Sequence, residues 1–178
     1  MNLFIIITIF LYSIVSYDYS YNSYEKNNSV DTLLFPSSKH REQSKLIYQL
    51  LTKYHYKKIE VNDSLSEKIL DKYISSLDPN REYFFSSDIN YFNQYKNQMD
   101  DYVVSGYLEP AYEIFTVYHQ RVKDRISYVF TLLENEPDFS IEESLLFDRK
   151  ELDWFSDASS MDDYWRKKIK NAILNLKV

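Results

Sequence analysis

Glycine is almost missing from this chain: Gly106 is the single one among 178 residues. Turns with positive φ, phosphate-cradling loops and nucleophile elbows all depend on glycine. Most glycine-based nucleotide and acyl-transfer sites are therefore excluded. Cysteine is absent altogether, which removes disulfides, thiolate zinc sites, a cysteine nucleophile and an acylated lipoprotein cysteine. With only 4 prolines as well, the chain suits long helices joined by polar turns better than a sheet of many hairpins. Positive charge is also in deficit. A net charge of −6 argues against a general nucleic-acid binder, which needs a clustered excess of Lys and Arg.

What is present describes a folded protein, 44% hydrophobic and 27% charged. The length suits one domain with a real core. The 18 tyrosines read as half-buried packing residues rather than a binding surface. Residues 3–15 form an apolar run broken by Thr8, Tyr12 and Ser13. It falls short of the roughly 20 apolar residues of a bilayer span. It suits the apolar region of a secretory signal over residues 1–16, with Ser16 as the small residue at the cleavage point. The rival reading is an uncleaved membrane anchor. Residues 17–37 follow, a polar leader whose Tyr/Asn/Ser-rich first part reads as flexible.

Beyond the leader the spacing of apolar residues predicts an all-α domain over residues 38–178, built of about five helices. The first covers about residues 38–54, with Leu46, Ile47, Leu50, Leu51 and Tyr54 as its stripe. Residues 57–63 read as an extended connector. Ser64 and Glu67 have capping-box spacing and open a second helix carrying Leu65, Ile69, Tyr73, Ile74 and Leu77. Pro79 biases Asp78 out of the helical region and Asn80 suits a turn. A third helix, capped by Ser87, carries Ile89, Phe92, Tyr95, Met99, Tyr102 and Val103 and ends at Gly106. The fourth and longest has Pro110 in its first turn and a stripe of Ala111, Phe115, Tyr118, Val122, Ile126, Val129 or Phe130, and Leu133; Pro137 ends it. Residues 138–157 read as an acidic extended arm. Ser160 and Asp163 open a last helix with Trp165, Ile169, Ala172, Ile173 and Leu176, whose pattern runs to Val178 without a cap.

Candidate chemistry is sparse. His40, His55 and His119 are far apart in sequence, without the short spacing of a helical zinc pair, so neither a metal nor a cofactor is expected. The acidic pairs Asp100-Asp101, Glu142-Glu143 and Asp162-Asp163 read as solvated or helix-capping groups. Ser66 with Lys68, or Ser44 with Lys45, could form a Ser–Lys dyad. No pattern beside them supplies an oxyanion hole, and Ser64 and Ser66 read better as helix-start residues.

The densest stretch is SLSEKILDKYISSLDPNREYFFSSDINYFNQY, residues 64–95. Its Leu65-Ser66-Glu67-Lys68, Leu77-Asp78-Pro79, Tyr83-Phe84, Asp88-Ile89 and Phe92 match, in order and spacing, the N-terminal helical domain of tail-specific proteases. These are also called carboxy-terminal processing peptidases, and the likeness is greatest to long forms from Bacteroidetes-like bacteria. His55-Tyr56 upstream, residues 136–140 with Pro137, Asp138 and Phe139, and Trp165-Arg166-Lys167 extend the resemblance over about residues 39–178. It implies a noncatalytic domain that precedes a PDZ domain and a serine protease domain with a Ser–Lys dyad, in a protein of the periplasm or cell envelope. The partners it implies are protein substrates or an adaptor, and those two further domains. Membrane contact is expected only if the first segment is uncleaved. With no catalytic residue to carry over, the chain reads as a fragment or truncated product. Two rival readings are a free-standing envelope helical protein-binding module and a membrane-anchored helical domain. The turn formed by Asp78, Pro79, Tyr83, Phe84 and Phe85 is the candidate site, read as packing between the second and third helices or as a docking turn.

Overall fold

The computed structural model describes residues 34–54 and 61–177. The signal segment, most of the leader, His55 and residues 57–60 of the connector lie outside the described residues. The fold is all-α, with six α-helices among the described residues: α1 Ser38–Tyr54, α2 Asp63–Leu77, α3 Ser86–Phe92, α4 Met99–Ser105, α5 Glu109–Leu133 and α6 Ala158–Lys177. A short 3-10 turn, Asn93–Tyr95, separates α3 from α4. No described helix is long and apolar enough to cross a membrane. The described residues divide into two compact units: those up to Leu77 with Tyr91–Val117, and Asp78–Asn90 with those from Tyr118 on.

In the first unit α2 buries the widest face. Leu65, Ile69, Tyr73 and Leu77 lie at four-residue spacing, with Ser66, Leu70 and Ile74 beside them. Each such apolar side chain contributes on the order of 1.5–3 kcal/mol through burial. Tyr73 is fully buried, and its hydroxyl donates to the Ala111 carbonyl at 2.9 Å. Both α1 and α2 pack against α4. The helix starts differ from the sequence reading. Asn62, not Ser64, caps α2, its Oδ1 accepting from the Leu65 amide at 3.1 Å. Ser66 serves another helix: its buried hydroxyl oxygen accepts from the Met99 amide at 2.6 Å and so caps α4.

The single predicted third helix is broken in two, because its apolar spacing runs through a kink that the Ser66 cap helps to fix. Gly106 stands where expected, at the C-terminal end of α4 with φ +73°. Two predicted stripes are also corrected. On α1, Leu46, Leu50 and Tyr54 are exposed, whereas Ser44 is buried and donates to the Val103 carbonyl at 3.1 Å. Late in α5, Ile126, Phe130 and Leu133 are exposed and Arg125 is buried.

In the second unit, Phe155, Met161, Tyr164 and Trp165 form an apolar cluster against which Tyr83, Phe85, Tyr128, Val129 and Leu145 pack. Of the predicted row, Val129 reaches this cluster, and Tyr128 beside it takes the place expected of Phe130. Arg125 pairs with Asp162. In α6 the buried residues are Met161, Tyr164 and Trp165, while Leu176 is exposed. Residues 138–157 form the expected arm, without a helix and with short turns.

Candidate functional site

The candidate turn starts where Pro79 ends α2. The Arg81 amide bonds the Asp78 carbonyl at 3.3 Å, closing a β-turn with proline second. Arg81, rather than Asn80, then takes the left-handed conformation, φ +53°. This geometry folds the next three amides back onto Asp78. Its Oδ1 accepts from the Glu82 amide at 2.8 Å, and its Oδ2 from those of Tyr83 at 2.8 Å and Phe84 at 3.0 Å. Burial raises the Asp78 carboxyl above its ordinary range, opposed by these three donors.

Asn80 is free of the strained role and ties the arm instead. Its Nδ2 donates to the Phe147 carbonyl at 2.8 Å, and its Oδ1 accepts from the Arg149 amide at 2.9 Å. The Arg81 guanidinium donates to the Leu152 carbonyl. That of Arg149 lies 3.7 Å from the centre of the Phe155 ring.

Glu82, which sequence spacing does not single out, is the hub. The Tyr164 hydroxyl donates to its carboxylate at 2.6 Å, Lys168 and Asn80 also bind it, and Trp165 Nε1 donates to its carbonyl at 3.0 Å. Burial opposes its ionisation, but Lys168, Tyr164 and Asn80 outweigh that and hold the carboxyl below its ordinary range. The same contact, with burial first, pushes the Tyr164 hydroxyl up.

The aromatic residues of the turn find the partners that follow. Phe84 is fully buried, with Tyr118 and Trp154 at ring distances of 5.7 and 5.9 Å. Tyr83 meets Tyr118 and Trp165. Phe85 forms an isolated bridge with Phe155, and Arg121 stacks on its ring. Pro79 is exposed. Asp88, not Ser87, caps α3, taking the Phe85 amide at 2.9 Å and a two-point contact from Arg121 at 2.8 and 2.9 Å. Asp78, Tyr83, Phe84 and Phe85 therefore act together as packing and backbone-binding groups.

The other candidates are placed elsewhere. His40 meets the Tyr112 hydroxyl at 2.8 Å, and His119 is half-buried on α5. No group of three metal-binding side chains occurs among the described residues. Of the acidic pairs, Glu143 binds Arg166 and Lys170, and those contacts lower its carboxyl to about 2. Asp163 binds Arg166 and Lys167. These are ion-paired rather than simply solvated.

A family model described as the tail specific protease N-terminal domain matches residues 47–178. The chain belongs to that family. A relative from Haemophilus influenzae, a tail-specific protease, is 36% identical over 129 residues, which is 72% of this chain and 19% of the relative. The chain thus spans less than a fifth of the length of that relative. Within this tail-specific protease N-terminal domain, residues that carried the resemblance meet around one node: Asp78 binds the turn, Asp88 caps α3, and Trp165 reaches Glu82. Asn80, Glu82, Arg121 and Arg149 complete the node. Their contacts with Asp88, Lys168 and each other's segments span 33 to 86 positions, and local spacing carries no sign of these.

Proposed function

We propose that this helical domain is the noncatalytic N-terminal part of an exported carboxy-terminal processing serine protease, in the periplasm or cell envelope. It frames the protease and helps to receive protein substrates or an adaptor protein. Its neighbours in the whole protein would be a PDZ domain and a protease domain. The observation that carries this reading is the family match over residues 47–178, supported by what the candidate nucleophiles do. Ser66 caps α4 and Ser44 bonds the Val103 carbonyl, so both hydroxyls are committed to joining helices.

The test compares kcat/KM for a short peptide and for a folded exported protein with a free apolar tail, in the longer protease with and without this domain. Short-peptide turnover should be retained within about threefold, and protein-substrate kcat/KM should fall about tenfold or more, mainly through KM. Equal loss on both substrates would sink the proposal.

A further inference from the structure

Helix α1 carries four cations against a single acid, Glu42, in a chain whose net charge is −6. Arg41 is turned to Glu109, but Lys39, Lys45 and Lys53 make no ion pair among the described residues. In α6, by contrast, every cation from Arg166 to Lys177 is paired. The unpaired lysines accompany an uncovered apolar row. Leu46, Leu50 and Tyr54 follow one another at four-residue spacing, all exposed, Tyr54 at 80%. Lys39 and Lys53 stand seven residues before and after Leu46, so they share its face and lie about 21 Å apart along the axis. The arm has the opposite character. Ile141, Leu146, Phe147 and Leu152 are exposed there. Glu142, Asp148, Glu151 and Asp153 among them are exposed too and make no ion pair among the described residues. Of the two cations in this stretch, Arg149 lies on the Phe155 ring, and Lys150 alone is exposed.

We propose that the outward face of α1 docks on the arm of a second copy of this chain. Leu46, Leu50 and Tyr54 would meet the exposed apolar side chains of that arm, and Lys39 and Lys53 its unpaired carboxylates. Charge complementarity selects this occupant: the row calls for an apolar surface bordered by acids, and the arm offers that combination. The six steps from Glu142 to Asp148 span up to about 20 Å, and Glu151 and Asp153 lengthen that, enough to meet two lysines about 21 Å apart. Each copy presents two different patches, so the contact is heterologous and can add further copies. A helix face of about 25 Å by 10 Å is well below the ~800 Å² per partner of a stable complex. The association is therefore weak, and salt screens its charged part. The inference is independent of the proposed function.

The test is analytical sedimentation of the purified chain from about 10 μM to about 1 mM. Dimers and larger species should grow with concentration and recede at high salt. Lys39→Glu with Lys53→Glu, and separately Glu142→Lys with Asp148→Lys, should each weaken the association at least about tenfold, with helix content by circular dichroism unchanged. Mixing these two variants should restore a complex, because the reversed α1 of one meets the reversed arm of the other. Leu46→Ser with Leu50→Ser removes the apolar part at exposed positions and should weaken self-association as well. A chain that stays monomeric at about 1 mM, association that neither charge reversal weakens, or a mixture no stronger than its components would overturn the proposal. So would a monomeric chain that binds anionic phospholipid vesicles through these lysines, which would assign the α1 face to a membrane surface.

Discussion

Asp78 holds one carboxylate against three consecutive backbone amides, and the chain reversal after α2 depends on it. Asp78→Ala leaves those donors without an acceptor in a place solvent scarcely reaches, at a cost of about 2–4 kcal/mol. Asp78→Asn keeps one side-chain carbonyl and should recover part of that. Urea unfolding measures both; an alanine variant as stable as the parent would show that the turn does not rely on the carboxylate. At this scale the sequence showed the turn but not its wiring. Pro79 and Asp78 are legible because they act on their immediate neighbours. Arg81 is not, since left-handed backbone is expected of glycine or asparagine first. Here Asn80 is engaged with Phe147 and Arg149, and Arg81 takes that conformation.

Among the elements, Gly106 joins two constraints. Its φ of +73° disfavours any side chain, and a Cβ there would lie 2.7 Å from the Arg41 carbonyl oxygen and 2.9 Å from Lys45 Cε. The backbone clash forces α1 away from the end of α4. Gly106→Ala should therefore cost more than the ~1–2 kcal/mol of the left-handed conformation alone, read as a lower thermal midpoint. A midpoint unchanged by the substitution would mean that α1 is not held close there. The ends of α5 and the position of Gly106 were legible, because prolines and glycine act locally. The break between α3 and α4 was not, because the Ser66 cap comes from 33 residues away. The stripe of α5 held at Ala111, Phe115 and Val129 but failed at Ile126, Phe130 and Leu133 for a related reason. Arg121 and Arg125 turn toward Asp88 and Asp162, and these long pairs fix the helix face that apolar counting assigned elsewhere.

For the molecule as a whole, the all-α class and the family were readable from one dense stretch, and the same residues now have physical roles. The resemblance lay in Asp78, Tyr83-Phe84, Asp88 and Trp165 because these hold the turn, the α3 cap and the approach of α6 together. Under the proposed function such a domain would bind protein partners without cutting them. The most direct measurement is native mass spectrometry of the purified chain mixed with a folded exported protein bearing a free apolar tail. A complex that grows with concentration and a substrate of unchanged mass are expected. A shortened substrate, or no complex at any concentration, would contradict that reading.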